Sequence, residues 1–258
     1  MVDLSSAKAK LGRAKLHMDT ANRVLKDFVG SQFYTTRIEK DSKGWLIVKV
    51  IDLKPLPPEF ALAVGDAAHN LRSALDHIIF SFSTKPLTSK EERRIQFPLI
   101  SKGKEYRQHR ERCLSKVPAT VRALVDSFQP YHRKKWPANR ILEQLQAINN
   151  WDKHRALAIT ATLVKRATLG LEVIRGHLEI SRQIIHSGPM KDGTILARFE
   201  VAKCSPDTEV KMNGKIVVVP VFYAGMPKEI FKLSVMNRLD KIRRFIENDL
   251  LPKFEALR

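Results

Sequence analysis

Residues 58–82 read PEFALAVGDAAHNLRSALDHIIFSF, and the spacing of their apolar side chains predicts a long amphipathic helix. At about 100° per residue these side chains fall on one face. The apolar face comprises Phe60, Val64, Ala67, Leu71, Leu75 and Ile78. Three prolines at 55, 57 and 58 break the preceding chain and suit the first turn of a helix. We therefore expect a helix from these prolines to about Phe82 that buries this face.

The opposite face of this helix is the predicted functional surface. This polar face comprises Asp66, His69, Asn70, Arg72, Ser73, Asp76 and His77. A merely solvated face in a basic protein would carry Lys and Glu, whereas the polar face carries neither. Its side chains are of the types that bind phosphate, transfer protons or ligate metals.

The composition limits the class of protein. The chain has 258 residues, a net charge of +19 and a pI of about 10.1, which predicts attraction to polyanions such as RNA or DNA. No apolar run approaches the ~20 residues of a membrane span. The polar first ten residues argue against a secretory signal peptide. Two cysteines, Cys113 and Cys204, make neither a disulfide framework nor a thiolate metal site. We expect a cytoplasmic location and no membrane partner.

The segments before the central helix predict a helix and a hairpin. Apolar residues spaced alternately three and four apart predict a first helix from Ser5 or Ser6 to about Phe28. The side chains that this helix would bury are Leu11, Ala14, Met18, Ala21, Leu25 and Phe28. Two strands at residues 33–39 and 45–51 flank the turn sequence Asp-Ser-Lys-Gly at 41–44.

Two basic stretches with aromatic residues follow. Residues 83–118 are charged, and we expect them to be irregular. The first stretch surrounds Tyr106 and comprises Lys102, Lys104, Arg107, His109, Arg110 and Arg112. The second, after Tyr131, contains Arg133, Lys134, Lys135 and Trp136. Such a mixture suits phosphate contacts and base stacking, although a solvated loop is the alternative. Lys153, His154 and Arg155 extend the predicted nucleic-acid surface.

A second long helix is expected over residues 138–163. Its buried face is marked by Leu145, Ile148, Ala156, Ile159 and Leu163. Asp152 projects to the same face, where a carboxylate is costly unless it is paired. The polar face offers three partners for it, namely Arg72, His69 and His77.

The remainder of the chain predicts a sheet. From about residue 167 we expect an antiparallel meander of four or five strands, with a type I′ turn at Asn213-Gly214. A closing helix from about Ser234 follows. The fold class is therefore α+β, with a helical part at 1–166 and a sheet with its closing helix at 167–258. A single intertwined domain is the alternative, because the early hairpin is free to join the sheet.

The chemistry must come from His, Arg, Asp and Asn side chains, because the sequence has no glycine-rich phosphate loop, dinucleotide fingerprint or Gly-x-Ser-x-Gly elbow. Arg72 and His77 form an Arg-x4-His arrangement on the central helix. This arrangement resembles the HEPN superfamily, whose ribonuclease members carry Arg-x4–6-His near a helix end. Ser73 departs from the Asn, His or Asp that usually follows the arginine there. Residues 69–77, together with Asp-Lys-His-Arg at 152–155, are also similar to a group of uncharacterised bacterial and phage proteins.

The HEPN resemblance implies a metal-independent endoribonuclease that needs no cofactor. Arg72 and His77 would be the active pair, and the setting would be conflict with phages or mobile elements. RNA supplies the 2′-hydroxyl nucleophile, a histidine transfers the proton, and an arginine stabilises the phosphate. Positions i and i+5 lie about 140° apart around a helix. The resemblance therefore implies a homodimer, which brings two motifs into one cleft.

Supporting roles and other functions remain open at this point. Asn70, Asp76 and Asp152 would orient the active pair, and His69 is a reserve acid or base. A purely structural interpretation makes Arg72 and Asp152 a buried ion pair that joins two helices. A metal-dependent hydrolase would use His69, Asp76 and His77 as ligands. A third class is a basic nucleic-acid-binding or nuclease-regulating protein without catalysis.

Overall fold

The computed structural model describes residues 2–132, 140–154, 157, 159–222 and 225–257, apart from the side chains of residues 132, 154, 160–163, 165 and 166. The class is α+β, as predicted. The chain divides into two compact units. The helical unit comprises Met1–Val24, Pro58–Ala158 and Phe222–Arg258, and the sheet unit comprises Leu25–Pro57 and Ile159–Val221. This division differs from a boundary at residue 166, because the early hairpin pairs with later strands and the closing helix packs against early helices.

The helical unit is built from elements that are distant in sequence. They are α1 (Ser5–Gly30, whose end belongs to the sheet unit), α2 (Pro58–Ser81), α3 (Ser89–Glu92), α4 (Gly103–Leu114), α5 (Ala119–Ser127), a 3₁₀ turn (Pro130–His132), α6 (Arg140–His154), α7 (Val235–Arg244), a π-helical turn (Phe245–Leu250) and α8 (Leu251–Glu255).

The central helix α2 is enclosed on most of its sides. All six predicted apolar-face residues are fully buried, which confirms that face. Ala63, Ala68, Ala74 and Ile79 are buried as well, and both α6 and α7 pack against the helix. The small side chains of the alanines allow this close approach from several directions. The polar face of α2 therefore meets other elements of the unit as well as solvent.

The prediction that residues 83–118 are irregular is wrong. The first basic stretch lies in α4, which buries Tyr106, Cys113 and Leu114. Most of its twelve residues are charged or polar, so its apolar residues were too few to reveal a helical spacing. The positions of the basic side chains are consequently fixed by a helix that packs into the unit.

The predicted helix over residues 138–163 is wrong at its end. α6 stops at His154, and β3 (Ile159–Arg175) begins five residues later. Residues 159–164 read ITATLV, and such β-branched residues favour a strand. Ile159 and Leu163 thus belong to a strand, so their helical spacing relative to Ile148 was a coincidence. Ala156 lies outside the described residues.

The sheet unit contains two sheets. Besides β3, its strands are β1 (Thr35–Lys40), β2 (Leu46–Ile51), β4 (Leu178–Ile185), β5 (Gly188–Pro189), β6 (Ile195–Cys204) and β7 (Glu209–Phe222). One sheet has the order β1-β2-β6-β4 and the other β5-β3-β7. Leu46 of β2 stands opposite Phe199 of β6, so the early hairpin joins the later strands. The core of the unit draws on both sheets, for example through Val48, Leu169 and Phe199.

The predicted turn at Asn213-Gly214 is also wrong, because β7 passes through both residues. A type I′ turn needs positive φ at two consecutive residues, whereas only Gly214 of the pair has one, at +135°. A Cβ on Gly214 would lie 2.0 Å from the carbonyl oxygen of Thr168. The glycine is needed for this close approach of the β3 backbone.

The first and closing helices match their predictions. Along α1, five of the six predicted inward residues are buried, and Leu25 is half-buried. Ser234 precedes α7. The predicted inward residues of the closing segment are all buried, namely Leu239, Ile242, Phe245, Ile246 and Leu250. Within the described residues, no helix has both the length and the apolar character that crossing a membrane requires.

Candidate functional site

A polar cavity of about 260 Å³ lies in the helical unit, where α2, α4, α6 and the segment 96–100 meet. Four of its lining residues, His69, Arg72, Ser73 and Asp76, belong to the polar face of α2. The others are Gln96, Pro98, Leu99, Ile100, His109, Gln146, Asn149, Asn150 and Lys153. The polar cavity therefore contains two imidazoles, two basic side chains and four amides, but only one carboxylate.

Two helices each present a stripe of polar residues to the cavity. On α2 the stripe occupies positions 69, 72, 73 and 76, and on α6 it occupies positions 146, 149, 150 and 153. Both have the spacing i, i+3, i+4, i+7, which aligns side chains along one helix face. The stripe on α2 was found from the sequence. The stripe on α6 was missed as a site, although the same spacing was there to find it.

Arg72 is held in a fixed position by two acceptors. Its guanidinium donates a 2.6 Å hydrogen bond to the Asp76 carboxylate and a 2.7 Å hydrogen bond to the Phe97 carbonyl oxygen. The same Asp76 oxygen accepts the Phe97 N–H at 2.8 Å. Burial raises the pKa of the Asp76 carboxyl, against the opposing effects of the Arg72 charge and the Phe97 N–H. Arg72 and Asp76 thus both bond the backbone of Phe97 and join α2 to it, and the ion pair with Asp152 that the structural interpretation required is not formed.

His77 faces a different neighbour from Arg72. Its Nδ1 lies 2.6 Å from the Ser6 hydroxyl, in the first turn of α1. The two side chains therefore contact opposite surroundings within one chain, as their angular separation on α2 requires. A site that combines Arg72 with His77 would need a second copy of the chain, and that homodimer stays a prediction.

Asn70 contacts neither member of the predicted active pair. Its side-chain amide donates a 2.8 Å hydrogen bond to the backbone carbonyl of Asp66, one turn earlier on α2. The residue is buried, and it is not among the residues that line the polar cavity. This bond satisfies a backbone carbonyl of α2 and holds the Asn70 side chain against its own helix.

Asp152 lies against α2 at Gly65. A Cβ on Gly65 would be only 2.3 Å from the Asp152 Oδ1. Burial raises the pKa of the Asp152 carboxyl, the neighbouring Asp66 carboxylate raises it further, and His69 opposes both. Of the three predicted partners, His69 is therefore the one whose charge acts on Asp152. In the described part of the chain, no hydrogen bond or ion pair engages this carboxylate.

Two members of the first basic stretch have structural contacts. Tyr106 is buried, and its hydroxyl donates a 2.5 Å hydrogen bond to Asp126 on α5. Arg110 binds the two oxygens of the same carboxylate at 2.8 and 2.9 Å. Burial and the Asp126 contact raise the pKa of the Tyr106 hydroxyl. Tyr106 is thus a link between α4 and α5, and its ring is not accessible for stacking on a base.

The other predicted nucleic-acid residues are more exposed. Lys102 pairs with Glu105 at 3.0 Å, and Arg112 donates to the His109 ring at 3.1 Å. Lys104, Arg107 and Lys153 are exposed, and Lys153 lines the polar cavity. Outside the described residues lie Arg133, Lys134, Lys135, Trp136, Arg155 and the side chain of His154.

The alternative metal site is not assembled. Asp76 is bonded to Arg72, and the Nδ1 of His77 lies against the Ser6 hydroxyl, so both predicted ligands already have other partners. Among the side chains that the structure describes, no group of three His, Cys, Asp or Glu residues could hold a metal ion.

No family model matches the chain, and neither a curated protein nor a solved structure is significantly similar to it. The polar cavity is therefore the basis for a functional proposal.

Proposed function

We propose that this protein is a metal-independent endoribonuclease whose reacting groups line the polar cavity. The observation that carries the proposal is the concentration of His69, His109 and Lys153 around one cavity, whose lining also includes four amide side chains. Imidazoles exchange protons near neutral pH, and a lysine ammonium binds phosphate oxygens. The net charge of +19 favours a polyanionic substrate.

The reaction would follow from the position of each group. His69, exposed at the cavity, takes the proton of the ribose 2′-hydroxyl. The 2′-oxygen attacks the phosphorus, the bond to the 5′-oxygen breaks, and that oxygen takes a proton from solvent. The products are a 2′,3′-cyclic phosphate and a 5′-hydroxyl. Lys153 neutralises the charge that develops on the phosphate. His109 accepts from Arg112 at Nδ1, which leaves its Nε2–H to donate to a phosphate oxygen.

This proposal gives His69 the role that the HEPN resemblance gives to His77. Arg72 remains a candidate for stabilising the phosphate, because it lines the polar cavity while it bonds Asp76 and Phe97. The HEPN-like form of the reaction, with Arg72 from one chain and His77 from another, would require the homodimer.

The test is RNA cleavage by pure protein in the presence of EDTA. We compare the wild type with His69→Gln, His77→Gln and Lys153→Met, and use His177→Gln as the control, because His177 is exposed in the sheet unit. We expect EDTA-resistant cleavage with cyclic-phosphate ends. His69→Gln should reduce the rate by about 10²–10⁴-fold, the usual contribution of general acid-base catalysis.

The pattern of losses separates the alternatives. A loss confined to His77→Gln would contradict the cavity mechanism and favour the dimeric HEPN-like site. RNA that is bound but never cleaved would identify a nucleic-acid-binding protein. Cleavage that EDTA abolishes would return the metal-dependent hydrolase to consideration.

A further inference from the structure

A groove of about 750 Å³ adjoins the polar cavity in the helical unit. The two spaces share three lining residues, Leu99, Gln146 and Asn150, so they lie side by side along α6. The character of the lining changes along this line. The polar cavity has imidazole and amide side chains in its lining. The groove adds the apolar side chains of Pro130, Ala147, Trp151 and Pro227, together with charged residues at 102, 143, 228 and 229.

Gln146, which lines both spaces, has an unused acceptor. Its Nε2 donates a 3.1 Å hydrogen bond to the Asn150 Oδ1. Its Oε1 is buried and accepts no hydrogen bond from the described residues. Buried amide oxygens are nearly always bonded, so an orphaned one beside an open groove indicates a ligand that carries a donor.

A nucleotide has the chemistry that these two spaces require. Its phosphate suits the side of His69 and Lys153, and its flat base suits the apolar lining around Trp151. Every nucleobase also offers an N–H donor on its edge, which the free Gln146 oxygen can accept. A fatty acid would leave the amide oxygen unused, because it has no N–H donor.

We infer that the groove is a nucleobase subsite, in which Gln146 Oε1 accepts a hydrogen bond from the base of the nucleotide whose phosphate occupies the polar cavity. This inference rests on the proposed function, since it assigns the substrate of the same site a base-binding position. The subsite would favour a base that directs its N–H donor at Gln146.

The test is calorimetric titration of the four nucleoside 3′-monophosphates and of inorganic phosphate, with cleavage not required. Gln146→Met removes the amide and keeps the length of the side chain. We expect it to weaken the tightest-binding nucleotide about 5–10-fold and to leave inorganic phosphate unchanged. Lys153→Met should weaken both ligands. Gln108→Met, on the exposed side of α4, is the matched control and should weaken neither.

Unchanged nucleotide binding by Gln146→Met, or no nucleotide binding by the wild type, would overturn the subsite. Retained phosphate binding shows that the variant is folded. Binding that depends on Gln146 without any RNA cleavage would support the subsite and remove the ribonuclease proposal. RNA cleavage by a protein whose nucleotide affinity does not depend on Gln146 would support the ribonuclease proposal and overturn the subsite.

Discussion

Arg72 has two potential roles, and they predict different consequences of its removal. Its side chain is 10% exposed, and it satisfies both the Asp76 carboxylate and the Phe97 carbonyl oxygen. Arg72→Met would leave both acceptors without this donor. We expect the free energy of unfolding to fall by about 2 kcal/mol, because Asp76 keeps some contact with water that limits the loss. Chemical denaturation at neutral pH measures this change.

A double-mutant cycle with Asp76→Ala separates the ion pair from the cavity. If Arg72 acts mainly through Asp76, Arg72→Met should cost at least about 1 kcal/mol less in the Asp76→Ala background. Equal losses in both backgrounds would show that the Phe97 carbonyl, or packing of the arginine stem, dominates. Loss of cleavage without loss of stability would instead assign Arg72 to the phosphate.

Asp152 gives a prediction for pH dependence. Burial beside Asp66 raises the pKa of its carboxyl in the folded protein. The folded state therefore binds this proton more tightly than the unfolded chain does, and the carboxyl destabilises the fold as pH rises through its folded-state pKa. Asp152→Asn should increase the free energy of unfolding at pH 7, and this advantage should shrink as pH falls from the raised folded-state pKa towards about 4, the ordinary Asp value, where it is nearly lost.

The comparison variant for Asp152 is Asp19→Asn, which removes one negative charge from the exposed side of α1. Denaturant melts at several pH values follow both proteins. A stability gain of Asp152→Asn that is the same at pH 4 and pH 7 would contradict the buried carboxylate as its source.

The packing of α2 against α6 depends on a residue without a side chain. Gly65→Ala would place a Cβ within 2.3–2.6 Å of the Asp152 carboxyl group. The overlap should outweigh the usual helix preference for alanine, so we expect a net loss of roughly 1–2 kcal/mol. Gly12→Ala on α1 is the matched control, since its Cβ would meet nothing within 4 Å. That variant should gain about 0.5–1 kcal/mol.

The cause of the loss at Gly65 can be checked in a second background. With Asp152→Ala already present, Gly65→Ala should become neutral or stabilising in thermal and chemical denaturation. If it stays destabilising, the α2 backbone itself, and not the Asp152 carboxyl, limits the space.

Periodicity in the sequence was sufficient where the helices bury a wide apolar face. α1, α2 and α7 were predicted with their inward residues, because the 3-4 spacing there is dense. α4 was missed because its buried residues are few. The end of α6 was misplaced because Ile159 and Leu163 continue a helical spacing inside a strand. The spacing of residues in the sequence does not show where the backbone of another strand comes close. Asn213-Gly214 was therefore predicted to be a turn.

The candidate site was likewise predictable from the sequence only in part. His69, Arg72 and Asp76 could be identified from one helix, because a polar stripe is visible in its sequence. The contribution of His109 and the α6 stripe depends on tertiary contacts that bring three helices together. The separate directions of Arg72 and His77 were predictable from helix geometry, whereas their partners Phe97 and Ser6 were not.

The charge of the whole chain leads to the last prediction. With a net charge of +19, association with RNA should be electrostatic and should weaken as salt concentration rises. Lys104 and Arg107 are exposed on α4, the helix that brings His109 to the polar cavity. If both contact phosphates, Lys104→Gln with Arg107→Gln should flatten the slope of log affinity against log salt by about 1.5, since each contact contributes about 0.7–0.9.

The control for this slope is Arg13→Gln with Lys15→Gln, which removes the same charge from exposed positions of α1. Fluorescence anisotropy of a labelled RNA, measured at several salt concentrations, gives all three slopes. We expect the control slope to stay close to that of the wild type, because these charges lie on a different helix from the proposed phosphate contacts, and salt screens charges beyond the roughly 10 Å Debye length. Equal flattening by both double variants would show that RNA responds to the total charge of the protein, and the α4 surface would then lose its assignment.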